Sequence, residues 1–548
     1  MATDTAGKIS LGLERITGFL QHGFPRDPRT GLRVVHVAGT NGKGSVCALI
    51  SQALIAAGYK TGTFNSPHFL EPNDAIRIQD TPIAASKYRD LRAWINSLDE
   101  QLASLHGRLS LFEQATAAAL WWFAENHVDV AVVEVGMGGL RDATNVFGSA
   151  AGAPGDGFAG QSLVQCICAI DEDHVGMIGN TIEEIAQEKA GIIRPGAWVV
   201  LGAQSRSAAF QRVRQIAQRL SPTRIINLRR QPTHDIHVPQ FTVKPELESV
   251  AESVTSDAPR LTVHPADELP SWATFNGTGR RCLRARYPPT TEEQGKRRSS
   301  VPVPVPTAPP APTTDVDLPL VLAGYYQAAN AGIAFYALDV LRTHCGFHQL
   351  TDTAIQVGFQ NVRWPGRLAW LRLRPTGASD KSPAFSDELG NWVLADGAHN
   401  EPAAVELRKY VDTALRRFTQ QRHILAGAAR TLTEPPPVRW VVGFTRGKDV
   451  AAILTQLVRP GDAVWAVPFS QPDEMPWISC TDTAEIASQV EAAFPGMPLT
   501  QFASLAAAVE QLRADRTAKC LTVLCGSLYL TADLYRELGV RPFAAPEV

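Results

Sequence analysis

Through the first 225 residues, short β-branched apolar runs alternate with longer stretches of helical periodicity. The runs Arg33 to Ala38, Val128 to Gly136, Val164 to Ile170 and Trp198 to Gly202 predict strands. The apolar segment after Gly44 predicts a helix that stops at Gly58, a residue suited to the left-handed position beyond a helix end. Such alternation predicts an α/β fold, a doubly wound and mostly parallel sheet covered by helices on both faces. The pattern then breaks twice. Residues 147–162 are small and Gly-rich and predict a loop, while 284–314 are dominated by proline and charge and predict disorder within an insertion spanning about 228–315. Regular periodicity returns at Asp317, with a helix over Tyr325 to Leu341. The Trp364-Pro365-Gly366-Arg367 segment reads as a hinge. Beyond it, strands at Trp392 to Ala395, Arg439 to Val442, Ala463 to Val467 and Leu521 to Leu524 predict a smaller Rossmann-like domain. The division expected is 1–362 and 363–548.

Composition narrows the classes of function. Of 548 residues, 45% are hydrophobic and 19% charged, enough apolar material for two sizeable cores. A net charge of −2 offers no footprint for nucleic acid or an anionic membrane. The cluster Lys296-Arg297-Arg298 reads as part of a solvated tail. Eight cysteines are scattered without any C-x-x-C pair, which indicates buried thiols in a reducing compartment. The opening residues MATDTAGKIS show no targeting pattern, and no run of about 18 apolar residues occurs, so a cytosolic protein is expected.

The strongest chemical signal is Gly39-Thr40-Asn41-Gly42-Lys43-Gly44-Ser45, placed between a predicted strand and a predicted helix. Glycine amides can surround phosphate oxygens without a Cβ in the way, Lys43 supplies a point charge for terminal phosphates, and the Ser45 hydroxyl can reach a Mg²⁺ ion. The spacing departs from G-x-x-x-x-G-K-[ST]: Val37 occupies the first glycine's place and Gly44 separates lysine from serine.

Other positions are less decided locally. Glu134 ends an apolar strand and reads equally as a metal ligand or as an ordinary carboxylate at a loop start. His174 lies just after a strand, where a structural role is the commoner reading. Thr181 to Glu184 form a capping-box pattern, and Ile182, Ile185, Ala186, Lys189 and Ala190 then share one helix face. A lysine on that apolar stripe reads locally as a stem that snorkels to the surface.

Taken together, AGTNGKGS, Ser10 to Arg15, Ser66-Pro67-His68, Phe112-Glu113, Glu134 to Gly139, Asp173-His174, Glu188 to Ile192, Trp364 to Arg367, Asp396 to Asn400 and Cys525 to Leu528 resemble, in order, the Mur ligase superfamily and its folate branch, the folylpolyglutamate synthase family. The resemblance implies an ATP-dependent ligase that activates a pterin-bearing carboxylate as an acyl phosphate and joins it to L-glutamate. It implies ATP contacts at Asn41, Gly42, Lys43, Gly44, Ser45, Asn330, Arg367, Asp396 and His399, and Mg²⁺ ligands at Ser45, Ser66, Glu134 and His174. Lys43, Lys189 and His174 would be catalytic, with Lys189 carbamylated; a K⁺ ion fits the same picture. The pterin substrate would meet Ser10, Leu11, Gly12, Leu13, Phe112, Glu113, Arg141, Asp142 and Ala143. In place of the family's G-G-R-L-D-A-T-N, this chain has Gly138-Gly139-Leu140-Arg141-Asp142, so its arginine has moved one place. Pro72-Asn73-Asp74-Ala75-Ile76, instead of N-E-R-I, and Met475-Pro476-Trp477-Ile478 look more like the fungal dihydrofolate synthases, which act on dihydropteroate. Extension of a tetrahydrofolate tail, or both activities, is the alternative. A P-loop switch or motor ATPase is the competitor from another class. Only small-molecule partners and a monomer are expected.

Overall fold

The computed structural model describes residues 2–3, 9–149, 160–220, 224–232, 241–248, 261–264, 282–287, 314–324, 326–373, 392–426, 436–515 and 520–543. Its larger sheet has a parallel centre in the spatial order Arg224–Pro232, Trp198–Leu201, Gln161–Ile167, Arg33–Ala38, Val130–Glu134, Thr61–Phe64. These strands are apolar on both sides because both sides are covered. Val35 and Val37 face the helices Lys43–Ala56, Tyr326–His344 and Asp352–Asn361. Val34 faces the layer of Glu14–His22, Ala85–His106 and Leu111–Glu125. Strand order reverses at Arg33–Ala38, whose neighbours come from later in the chain on both sides. The crevice at the carboxyl ends of such strands is where open α/β sheets bind ligands. The loops beginning at Gly39, Val135 and Cys168 all leave from those ends.

The smaller sheet runs Ala369–Arg372, Trp392–Ala395, Leu521–Cys525, Val438–Val442, Ala463–Ala466, Leu499–Gln501, parallel except for its first pair. The two sheets lie either side of the Trp364 to Arg367 turn. Among the described residues, no helix is long and apolar enough to cross a membrane.

The expected disorder over 284–314 is corrected at its ends. Cys282–Tyr287 pairs antiparallel with Thr314–Pro319, and Phe241–Glu248 and Leu261–His264 complete an antiparallel extension of the large sheet. CLRARY alternates apolar and polar residues, a strand pattern that the proline count of its surroundings hides. The proline-rich stretch 288–313 lies outside the described residues. Of the expected loop 147–162, Gly148–Ser149 pairs with Gln161 and Ser162, and 150–159 lie outside the described residues.

One buried polar centre holds the second domain together. Asp462 accepts hydrogen bonds from the Val438 and Arg459 amides (2.8 and 3.0 Å), the Trp440 indole N–H (3.0 Å) and Arg408 Nη1 (3.2 Å). Asp462→Ala leaves these donors, one of them a charge, without their acceptor. The expected loss of stability is about 3–5 kcal/mol, measured by urea unfolding; a loss below about 1 kcal/mol would show the centre to be dispensable.

Candidate active site at the carboxyl ends of the large sheet

The loop 39–42 turns the chain from strand Arg33–Ala38 into helix Lys43–Ala56. Gly42 precedes the helix with φ +95°, a conformation that favours glycine, and its α-carbon abuts the side chain of Asn330. Gly44, two residues on, abuts the ring of Trp364. The loop is thus roofed by a residue of helix Tyr326–His344 and by the interdomain turn.

Lys43 folds back over the loop. Its Nζ donates to the carbonyls of Gly39 and Thr40, both at 3.2 Å, and lies 4.0 Å from Glu134 Oε1. Glu134 ends strand Val130–Glu134 at the neighbouring position in the sheet. Burial pushes its carboxyl up in pKa, against the opposing effects of Lys43, of hydrogen bonds from Asn65 and Ser66, and of Arg367. Asn65 Nδ2 donates to Glu134 Oε2 at 2.8 Å. The Ser66 hydroxyl beside it is buried and has no hydrogen-bond partner. An unpartnered hydroxyl next to a buried carboxyl group is a donor set that fits a hard divalent cation completing its shell with water and phosphate. Ser45 Oγ accepts from Gln327 Nε2 at 3.2 Å. Among the described residues, no group of three His, Cys, Asp or Glu side chains clusters.

Lys189 does not snorkel. It is 3% exposed, and its Nζ donates to the same Gly39 carbonyl as Lys43, at 3.0 Å. Burial lowers its pKa to about 7, and the Lys43 charge pushes the same way, against Asp173, Asp142 and Glu188. The helix carrying it is clamped to the loop after Glu134. The Leu140 amide donates to Glu188 O at 2.7 Å, and Gly139 packs against the Lys189 backbone. The displaced Arg141 lies on Glu188, with its amide at 3.1 Å and Nε at 3.2 Å, while Leu140 is exposed.

His174 stands at φ +54°, partly exposed, with Nε2 at 3.8 Å from Asp173 Oδ2. Burial lowers its pKa to about 4; Asp173 opposes this, while Lys448, Lys189 and Lys43 add to it. From the second domain, Lys448 Nζ reaches Asp173 at 2.9 Å. Burial alone would raise Asp173; the charges of His174, Lys448 and His399 hold it well below the usual carboxylate range. Asn400 Nδ2 approaches Asn41 Oδ1 at 3.4 Å. Asp396 is buried and accepts from the Leu368 and Ala398 amides, both at 2.8 Å, and Arg367 lies beside it. Arg367 Nη1 donates to Gly366 O at 3.0 Å, and His399 Nδ1 lies 2.8 Å from Gly397 O. The two domains therefore meet across the loop 39–42.

The expected pterin residues lie on several elements, and Glu113, Asp142 and Ala143 among them are buried. Ser10 ends the short strand Ile9–Ser10, and Leu11, Gly12 and Leu13 lead into helix Glu14–His22. Glu113 closes a capping box with Ser110 and pairs with Arg15 at 3.2 Å. Phe112 lies on Gly136 and stacks with Phe64 at 6.1 Å. Ala143 is buried, and Asp142 is occupied within its own loop, accepting from the Met137 amide (2.7 Å) and Thr144 Oγ1 (2.6 Å). Sequence reasoning missed Asn65, Lys448 and Asn400. Asn65 adjoins Ser66 in a quoted motif, and Asn400 closes another; Lys448 carries no local signal.

A probable dihydrofolate synthetase of Schizosaccharomyces pombe is 30% identical over 530 residues, covering 97% of this chain and 99% of the relative. The chain belongs to the dihydrofolate synthase/folylpolyglutamate synthase family. A dihydrofolate synthetase of Saccharomyces cerevisiae is 28% identical over 537 residues, with coverages of 96% and 98%. Residues 386–537 match the family described as "Dihydrofolate synthetase, C-terminal domain". In fold, the chain is similar to a bifunctional folylpolyglutamate synthase/dihydrofolate synthase solved with Mn, AMPPNP and L-glutamate bound, with TM-score 0.63 and 23% identity over 97% of this chain and 95% of that one. Family membership makes this protein an ATP-dependent ligase of folate metabolism, and removes the switch or motor reading.

Proposed function

We propose that this ligase attaches the α-amine of L-glutamate to 7,8-dihydropteroate. The reading rests on the two fungal relatives and the C-terminal family match for its substrate. For its chemistry, it rests on one observation: two lysines from different elements meet on the Gly39 carbonyl beside Glu134.

The amides of residues 39–45 cradle the triphosphate, with Asn330 above the loop and Arg367, Asp396 and His399 facing the nucleotide from the second domain. Lys43 exchanges its carbonyl partners for the γ-phosphate, where its charge grows in value as negative charge spreads in the transition state. Ser45, Ser66, Glu134 and His174 would hold the divalent ion, which supplies charge neutralisation along the phosphates. A neutral His174 imidazole suits that role. The pteroate carboxylate attacks the γ-phosphorus and ADP leaves, giving the acyl phosphate. The glutamate amine then attacks the acyl carbon and inorganic phosphate leaves. The pterin ring lies against Phe112, between Ser10 to Leu13 and Arg141 to Ala143.

Lys189 with a pKa near 7 is substantially uncharged at neutral pH, the form that adds to carbon dioxide. Carbamylation would turn that buried amine into an oxygen-bearing anion whose burial is offset by the nearby Lys43 charge.

The test is phosphate release from ATP by purified protein. Release is expected only with dihydropteroate and glutamate together. Turnover on tetrahydrofolate and not on dihydropteroate would reverse the substrate assignment, and equal release without either acceptor would overturn the ligase chemistry.

A further inference from the structure

The metal-side carboxylate is held from the second domain through a chain of buried contacts. Arg77 lies on strand Ile76–Ile78, between Thr61–Phe64 and the short edge strand Thr81–Pro82, is 2% exposed, and donates from Nη2 to Asn65 Oδ1 at 2.5 Å and from Nη1 to Asp74 O at 2.7 Å. Its Nε faces Asp80 at 3.3 Å. Asn65 then donates to Glu134 at 2.8 Å. The amide orientation follows from chemistry: a guanidinium only donates and a carboxylate only accepts, so Asn65 must offer its oxygen to Arg77 and its nitrogen to Glu134.

The guanidinium is covered by two aromatic rings from beyond residue 360. Trp364, which also abuts Gly44 of the phosphate loop, has its ring centroid 5.6 Å away, and Phe543 lies at 4.6 Å. Phe543 belongs to the last stretch of the second domain, whose Arg541 pairs with Glu71 at 2.7 Å and whose Arg536 donates to the Leu70 carbonyl. Phe69 and Leu70, three to five residues from Asn65 and Ser66, are buried in the second domain's own core, with Phe69 edge-on to Tyr535 at 4.9 Å. The loop 65–75 is therefore gripped at one end by the second domain and presents Asn65 and Ser66 at the other.

We infer that Arg77 is a positioning residue that transmits the seating of the second domain, through Asn65, to the aim of Glu134 at the divalent ion. This rests on the metal role given to Glu134 above. Partners behind a metal ligand typically govern affinity by about 10- to 100-fold. A cation over an aromatic ring contributes less.

The experiment measures Mg²⁺-dependent binding of ADP to the full chain, as the rise in thermal midpoint with ADP as Mg²⁺ is titrated, alongside the Mg²⁺ dependence of turnover. Arg77→Lys keeps the charge and loses the fork; it should raise the Mg²⁺ needed for half-maximal stabilisation by about tenfold. It should leave ADP binding without metal, and the KM for glutamate, unchanged. Phe543→Ala, which trims a partly buried ring at the margin of the second domain's core, should raise the Mg²⁺ requirement by about two- to fivefold. If Arg77→Lys does not fold, Phe543→Ala and Asn65→Ala carry the test, the latter matching the tenfold shift. Wild-type Mg²⁺ dependence in Phe543→Ala and in either loop variant would overturn the inference. Absence of any Mg²⁺ effect in the wild-type chain would instead overturn the metal role of Glu134.

Discussion

Lys43→Ala should lower the rate of phosphate release about 10²- to 10³-fold, the loss usual when one preorganised charge partner of a transition state is removed. In the structure, Lys43 Nζ is satisfied by the loop's own carbonyls at 3.2 Å and stands 4.0 Å from Glu134. Its described contacts are two loop carbonyls and Glu134, and its charge also disfavours the buried Lys189 ammonium, so the variant should unfold at nearly the wild-type temperature. The measurement is steady-state phosphate release with dihydropteroate and glutamate saturating. Lys43→Arg should not rescue it, because a planar fork does not fit a site shaped for a point charge. Turnover within threefold of wild type in Lys43→Ala would remove the phosphate loop from the mechanism.

Lys189→Met should separate stability from activity. The folded-state pKa is lowered to about 7, from an ordinary 10.5, chiefly by burial. Between those values the unfolded chain holds a proton that the folded chain lacks, so stability rises with pH through that window. Below pH 7 the amine is charged in both states and the full cost of burying it is present. Methionine fills similar volume without the charge, so the variant should melt higher than unmodified wild type at pH 6 to 7. It should turn over about 10- to 100-fold more slowly. In the wild type, the rate should climb as pH rises through about 7 and should fall in buffers stripped of carbon dioxide, returning with bicarbonate. Intact-mass measurement under native conditions should show the addition of one carbon dioxide. A Lys189→Met enzyme with wild-type turnover would sink the role of this lysine, whatever its melting temperature.

How far the site was legible depended on how far each residue's role is local. Gly42, Lys43 and Ser45 act within one turn of chain, so strand, glycine and helix in succession were enough to mark them. Lys189 was visible as a lysine on an apolar stripe, yet the local reading of a snorkelling stem was the wrong one. Whether a four-carbon stem can reach water depends on what covers the helix, and here the loop after Glu134 and the Gly39 carbonyl close it in. Residues 282–287 were lost for the opposite reason: their alternation is short, and composition averaged over the proline-rich window outweighed it.

The sequence by itself determined the α/β class, the parallel core of each sheet and the place of the glycine loop between strand and helix, because period, capping and glycine placement are properties of neighbouring residues. Only the tertiary structure decided which groups converge on that loop. Asn65 and Glu134 are 69 residues apart, and Lys43 and Lys189 meet on one carbonyl from opposite sides of a strand reversal. Lys448 and Asp173 are separated by 275 residues. Burial, which shifts the pKa of Glu134, His174 and Lys189, is conferred by elements distant in the chain, so no local pattern can encode it.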